Sequence, residues 1–364
     1  MNTQHQPSNP LRLFIFGHPR TRTNLFCRLW HNHPDVLEKQ YPLMEPWVYG
    51  PERQEIRERI LPPGKMEQHV KDTFQAGFDG LQELIAVAEA EGKLPIVKEH
   101  VYHMMDAISL CAHLSLSYEG RPKPSLTDRQ LDIPESERVY DRNIFGEPSD
   151  LPIPNPTILP ERFLKTLSPI FVIRHPAKAF PSYLRVCSAY GGSVFDDAFR
   201  INASYKWQRL LYDCYDAYFK AKDIKLGSNG APSDVVNGYG NGYGNGHAHS
   251  HKIWPVVLNG DDLVVDAERV MQKLCCYTGL DASKICYSWE SEENTCQDAI
   301  SQALWNQVQN STGIIKDPTC SKPVAIAEEA KKWTKEWDEE VAKKLAEFCE
   351  AAMDDYKYLL QFSI

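Results

Sequence analysis

The stretch that most constrains this chain runs from Leu11 to Leu29, Leu-Arg-Leu-Phe-Ile-Phe-Gly-His-Pro-Arg-Thr-Arg-Thr-Asn-Leu-Phe-Cys-Arg-Leu. Leu11 to Phe16 is an apolar run of buried-strand length, and Gly17 to Thr23 is small, polar and basic. Leu25, Phe26, Leu29 and Trp30 then return at helical spacing. Strand, tight basic turn and helix together make an anion site. The unpaired N–H groups and the positive dipole end of a helix N-terminus converge there on a phosphate. A plain surface turn that happens to carry arginines is the competing reading. The Walker A pattern G-x-x-x-x-G-K-[ST] fails, with Arg22 and Thr23 where Gly and Lys should stand, which argues against a nucleotide triphosphatase.

Bulk properties limit the size of the anion. A formal charge of −9 and a pI near 5.8 do not suit a nucleic-acid surface, which needs a broad basic field. A local basic pocket on an acidic protein suits one small anionic ligand, with no nucleic-acid partner. The 10 cysteines contain no C-x-x-C pair and no regular framework, as expected for reduced core residues of a cytoplasmic protein. Met1 to Pro10 lacks the basic start and apolar segment of a signal peptide, and no apolar run reaches the ~20 residues of a membrane helix. The chain is therefore expected to be soluble and cytoplasmic, with no membrane partner; a homodimer is left open.

Further short apolar runs at Leu94–Lys98, Pro169–Ile173 and Ile253–Leu258 read as buried strands. Between them, helical periodicity covers Lys65–Glu91, Asp106–Leu116, Asp196–Lys222 and about Asp266–Gly279. Tyr41 to Tyr49 is aromatic and proline-rich and reads as irregular. Arg121 to Pro160 reads as a surface insertion, and Gly227 to His251, rich in Gly and Asn, as a low-complexity mobile loop. His247, His249 and His251 alternate within that loop, but no functional metal site is expected. Ala325 to Leu360 is a charged amphipathic helix or two, with Trp333, Trp337, Val341, Leu345 and Phe348 on one stripe, packed on the domain. Strands alternating with helices predict a single α/β domain over residues 1–364, with a central, mostly parallel sheet between two helical layers.

Three strand ends carry basic chemistry. The first offers Arg20, Arg22 and Thr23, the second Lys98 and His100, the third Arg174 and, eight residues on, Ser182. In open parallel sheets ligands bind beyond the carboxyl ends of strands, so these groups can converge. Each alone is weak: a histidine after a strand is commonly structural, and an Arg and a Ser eight residues apart recur by chance.

In this order the motifs resemble those of the sulfotransferases that use 3′-phosphoadenosine 5′-phosphosulfate (PAPS), a family with a P-loop-like fold. Gly17 to Asn24 is similar to that family's P-[KR]-[ST]-G-[ST] loop, and Phe171 to Tyr183 to its R-[NHD]-P-x5-S motif, here Arg174 and Ser182. Ile96 to His100 resembles the strand end carrying K-x-H, Val257 to Gly279 the segment that often reads Y-E-D-L, and Asn310 to Lys316 the loop closing over the cofactor. Arg22 stands for the loop glycine, as in a divergent P-R-[ST]-R-[ST] subgroup; Arg20 stands for lysine, and Gly260 for tyrosine.

The resemblance implies transfer of SO3 from PAPS, without a metal, to a hydroxyl or amine. Arg20, Thr21, Arg22, Thr23 and Asn24 would hold the 5′-phosphosulfate, and Arg174 and Ser182 the 3′-phosphate. Arg20 and Lys98 would stabilise charge on the leaving phosphate. His100 would act as general base, with His103 as its competitor. The aromatic segments Tyr41–Tyr49, Tyr102–Met105 and Tyr183–Tyr190 suit a small apolar or aromatic acceptor. Two other classes stay open: a binding protein whose cofactor site Arg22 blocks, and an enzyme using the same pocket for a different reaction on an anionic substrate.

Overall fold

The computed structural model describes residues 10–54, 65–117, 122–129, 151–189, 191–227, 253–291 and 310–364. Strands β1 (Leu13–Gly17), β2 (Val36–Gln40), β3 (Leu94–His100), β4 (Ser168–Ile173) and β5 (Val256–Asn259) form a sheet in the order β2-β3-β1-β4-β5. Every neighbouring pair is parallel. The apolar runs at residues 11–16, 94–98, 169–173 and 253–258 each become a strand. The last starts only after the cis Trp254–Pro255 bond. β2 was not expected: Val-Leu-Glu-Lys-Gln is an edge strand, half-buried throughout, and shows neither an apolar run nor clean alternation.

Successive strand residues face opposite sides of the sheet. Here both sides are covered. Leu13, Ile15, Ile96, Ile170 and Val172 pack with α1 (Thr23–Trp30) and a later helix, Ala267–Thr278, while Phe14, Phe16, Val97 and Phe171 pack with the other layer. Two-sided burial is why these strands read as continuous apolar runs. The expected three-layer α/β architecture is the one observed.

Helix boundaries shift for local reasons. The segment expected to be irregular at residues 41–49 contains α2 (Met44–Val48). The helix expected over 65–91 is α3 (Phe74–Ala90), preceded by a separate turn of helix at Lys65–Gln68; Thr73 caps it by accepting from the Ala76 N–H at 3.1 Å. Gly77 is required there, because an added Cβ would lie 2.4 Å from the Pro42 carbonyl oxygen.

Later helices include α4 (Ala107–Leu114) and α5 (Pro176–Ala189). The helix expected over 196–222 is two, α6 (Asp197–Asn202) and α7 (Lys206–Gly227); the break places the buried Tyr205 at the end of β4. α8 (Ala267–Thr278) is capped by Asp266 and ends at Gly279, whose φ of 75° suits glycine. The expected C-terminal segment is divided among α9 (Ile326–Glu336), α10 (Glu339–Ala351) and α11 (Met353–Leu360); the stripe falls on the first two, with Trp337 at the end of the first. The chain then reaches the sheet edge, where the Ile364 N–H donates to the Val257 carbonyl at 3.1 Å.

No helix among the described residues is long and apolar enough to cross a membrane. Nearly all of the Gly- and Asn-rich segment 227–251, the middle of the insertion 121–160, and Tyr190 lie outside the described residues.

Candidate active site

The strand order reverses around β1: the chain first lays β2 at one edge and fills in β3 beside β1, then builds outward on the other side through β4 and β5. Beyond the carboxyl ends at such a switch point lies the crevice where parallel sheets bind ligands. Gly17 at the end of β1 is in register with His100 at the end of β3, and Arg174 directly follows β4. The three strand ends picked out in the sequence are therefore adjacent.

The basic turn is built on unusual backbone. Arg20 and Arg22 have φ of 64° and 68°, in the left-handed region where a side chain costs about 1–2 kcal/mol. Thr21, fully buried, donates its hydroxyl to the His18 carbonyl at 2.7 Å and so closes the turn. Arg22 is the cap position of α1, which has no capping side chain and no acidic residue in its first turn. The helix N-terminus thus keeps its positive end uncompensated by local groups. The turn also lies tight against Gly260, where an added Cβ would stand 2.0 Å from the Thr21 carbonyl oxygen. Arg22 for glycine and Gly260 for tyrosine, two separate departures in the sequence, meet in space.

Asp261 organises the cations at this end. Arg22 Nε and Arg174 Nε each donate to its Oδ1 at 2.8 Å, and Lys178 Nζ donates to its Oδ2 at 2.9 Å. Burial pushes its carboxyl up, but Arg174, Lys178 and Arg22 outweigh that and hold it well below the usual range. Burial lowers the Arg174 guanidinium, and neighbouring Arg22 adds to it, while Asp261 opposes. Arg22 Nη2 also reaches Asp317 at 3.3 Å and Cys320 Sγ at 3.0 Å, and Lys178 Nζ donates to the Thr319 carbonyl at 2.9 Å. Arg22 thus keeps a glycine-like backbone while its side chain is drawn aside to carboxylates.

Arg20 Nε donates to Ser182 Oγ at 3.0 Å, and the Arg20 carbonyl accepts from Arg174 Nη1 at 3.3 Å. Arg20 therefore stands between the two residues expected to hold one phosphate. Burial lowers the Arg20 guanidinium, with Arg174 acting in the same direction. The Arg174 backbone is locked by Tyr205, whose hydroxyl accepts from the Arg174 N–H at 3.1 Å and donates to its carbonyl.

The opposite end has a different chemistry. Strand alternation puts Lys98 and His100 on the face of α1 and Glu99 on the other. Lys98 is fully buried; its ammonium donates to Asn24 Oδ1 and to Gln40 Oε1 at 3.0 Å, and lies 4.2 Å from the centre of the Tyr41 ring. His100 packs between Tyr41 and Tyr102, with ring centroids at 4.9 and 5.7 Å. Its Nδ1 is buried against Gly17 without a well-formed hydrogen bond. Burial holds its imidazole well below the usual range, with His103, Lys98 and His18 adding to the effect.

Of the residues expected from sequence, Arg20, Arg174 and Ser182 are joined by hydrogen bonds, as are Asn24 and Lys98. Both the Thr21 hydroxyl and its N–H go to the His18 carbonyl, at 2.7 and 3.3 Å, and Thr23 is buried, so Thr21 closes the turn and Thr23 can offer a phosphate its backbone N–H. Sequence reasoning missed Asp261, Lys178, Asp317 and Glu99. The signal for Asp261 was present, an acid directly after a glycine at a strand end, but its three cationic partners lie 83 to 239 residues away. In the expected closing loop, it is the residues just beyond Lys316 that reach the cluster.

No family model matches the chain. It is 26% identical over 365 residues to the sulfotransferase ppzF of Metarhizium majus (strain ARSEF 297), covering 96% of each chain. To the sulfotransferase ppzF of Metarhizium rileyi (strain RCEF 4871) it is 26% identical over 374 residues, covering 97% of this chain and 96% of that one. A crystal structure of a sulfotransferase from Alicyclobacillus acidocaldarius aligns over 98% of both chains, at 12% identity and a TM-score of 0.35, too low to bear on the fold. Near full-length similarity to two proteins named sulfotransferase, at 26% identity, joins the ordered motifs in pointing to the sulfotransferases.

Proposed function

We propose that this protein transfers a sulfo group from PAPS to the hydroxyl of a small aromatic or apolar acceptor. The observation that carries the reading is the convergence, at one switch point, of an anion-binding end and a buried lysine–histidine end. At the first, Arg20, Arg22, Arg174 and Lys178 stand against Asp261 and Asp317, four positive groups against two negative. The excess of two positive charges, with the Ser182 hydroxyl and the open N-terminus of α1, suits a phosphorylated nucleotide.

PAPS supplies the sulfo group; the remaining work belongs to the chain. Arg174 and Ser182, bridged by Arg20, hold the 3′-phosphate. The N–H groups of Arg22 to Asn24 hold the 5′-phosphosulfate, while that of Thr21 closes the turn on the His18 carbonyl. Lys98 and Arg20 stabilise the charge that builds on the departing phosphate, the kind of preorganised electrostatics that dominates phosphoryl transfer. Lys98 is fit for this because Asn24, Gln40 and the Tyr41 ring fix its position. His100 takes the acceptor's proton: its lowered pKa keeps it neutral at physiological pH, as a base must be. Tyr41 and Tyr102, on either side of His100, favour an acceptor with a flat apolar ring.

The test is calorimetric titration with adenosine 3′,5′-bisphosphate, the product nucleotide, on wild type and Arg174→Ala. Micromolar binding lost in the variant is expected, followed by sulfated product when PAPS and a panel of phenols are supplied. No binding by the wild type would remove PAPS from the reading. Binding without sulfated product would leave a nucleotide-binding protein rather than a transferase.

A further inference from the structure

The residues beside His100 form a unit that the proposed transfer does not yet use. Glu99 is fully buried, yet its carboxylate receives the Leu43 N–H at 2.8 Å, the His100 backbone N–H at 2.7 Å and His103 Nδ1 at 2.6 Å. The two backbone groups can only donate, and an ionised carboxylate only accepts, so His103 presents Nδ1–H to it. That choice of tautomer leaves Nε2 of His103 as the nitrogen able to take a proton. The His103 ring, itself 3% exposed, is wedged against Trp47 and Tyr102 at 5.2 and 4.4 Å, and lies 5.5 Å from the His100 ring. His103 is tightly oriented, whereas His100 has a buried Nδ1 without a well-formed hydrogen bond.

Resting on the sulfo-transfer reading above, we propose that Glu99 and His103 form the second stage of a proton relay behind His100. As the acceptor oxygen bonds to sulfur and the sulfur–oxygen bond to the 5′-phosphate breaks, the acceptor's O–H proton passes to one ring nitrogen of His100. His100 gives up a proton from its other nitrogen to Nε2 of His103, the two rings, 5.5 Å apart at their centroids and not hydrogen-bonded to each other at rest, closing to contact for the hop. The resulting imidazolium is neutralised by Glu99, and its proton leaves to solvent after the products depart. His103 is thus a positioning and relay residue that acts through His100. The second stage has a physical reason: a proton left on His100 would sit beside buried Lys98, and Tyr41, Tyr102 and His18 offer it no negative charge. Glu99 supplies that charge one ring further on.

The experiment uses the full chain as wild type, His103→Gln, His103→Ala, Glu99→Gln and His100→Gln, with PAPS and a panel of phenols, and adenosine 3′,5′-bisphosphate titrated calorimetrically into each. We expect His103→Gln and Glu99→Gln to lower kcat by about 10²-fold while nucleotide affinity stays unchanged. The acid limb of the kcat–pH profile should move in both. Added imidazole should restore turnover in His103→Ala. An unmoved pH profile with normal nucleotide binding would overturn the relay and leave Glu99–His103 a structural brace. Nitrogen NMR of labelled histidines gives a readout independent of turnover. His103 should be the Nδ1–H tautomer, and His103→Gln should raise the titration midpoint of His100. An Nε2–H tautomer, or a His100 midpoint indifferent to His103, would also end the proposal. Wild type that binds nucleotide but sulfates no phenol would count against the transfer reading, and the NMR result would still decide the pair.

Discussion

The two ends of the site handle buried charge in opposite ways. At the Asp261 end, cations and carboxylates pair directly: one carboxylate takes Arg22, Arg174 and Lys178 within 2.9 Å. At the His100 end, Lys98 is held by amide oxygens and a ring face, and the histidines by a carboxylate and aromatic walls. The first arrangement is strong and stiff, fitting residues that grip a ligand that does not change. The second gives Lys98 amide oxygens and a ring where the first gives its cations a carboxylate, as the proposed reaction would require of groups whose charge changes. Charge pairing anchors; neutral surroundings keep groups reactive.

Asp261→Asn tests the contrast most severely. Removing one partner of a buried ion cluster orphans its cations, so a loss of about 3–5 kcal/mol is expected in urea unfolding at neutral pH. Loss of less than 1 kcal/mol would mean that the cluster is solvated and the comparison false.

Acid should separate the two ends. His18, buried beside the basic turn, is pushed down from 6.5 to about 4 by burial, and His100 is lowered as well. As pH falls below 6.5 the unfolded chain takes up protons that the folded chain refuses, so stability declines between 6.5 and about 4. The full shift at His18 is worth about 3 kcal/mol. Asp261 has the opposite sign: its lowered pKa contributes stability above the usual carboxylate range, lost only as pH falls below about 4. Two phases in the dependence of the urea midpoint on pH are expected, the first reduced by His18→Gln but not abolished, because His100 and His175 are lowered too. A single phase below pH 4 would sink the histidine part.

Gly260→Ala sharpens the coupling between Gly260 and the turn. A Cβ 2.0 Å from the Thr21 carbonyl cannot be accommodated without moving backbone, and overpacking of this kind costs about 1–3 kcal/mol. Nucleotide affinity should fall with it. The smallest effect on stability is expected from Lys98→Met. Relief of a buried charge offsets two orphaned amide oxygens, leaving a change of about 1 kcal/mol. Turnover should nonetheless drop by about 10²–10³-fold. A large loss of stability here would mean that Lys98 anchors as Asp261 does.

Legibility from sequence followed the range of the interactions. The turn Gly17–Thr23, the strand ends at Lys98 and Arg174, and the alternation that sets Lys98 and His100 on one face all depend on neighbours within a few residues. They could be read directly. β2 could not, because a half-exposed edge strand has no strong hydrophobic pattern. The division of residues 196–222 was hidden because aromatics recur on both sides of the break that seats Tyr205. Glu99 was passed over because an acid between Lys98 and His100 reads as an ordinary surface residue until its burial is known.

By itself, then, the sequence determined the alternation of strand and helix, the basic turn at a helix start, and which three strand ends carry charge. Those properties follow from local backbone preference and from the periods of 2 and 3.6 that burial imposes. Tertiary structure alone decided that Arg22's side chain turns toward Asp261 and Asp317, that Gly260 meets the Thr21 carbonyl, and that Glu99 orients His103 beside His100. A buried charge takes whichever partner the fold brings within hydrogen-bond reach, and apart from the short link from Glu99 to His103, chain position does not reveal that partner.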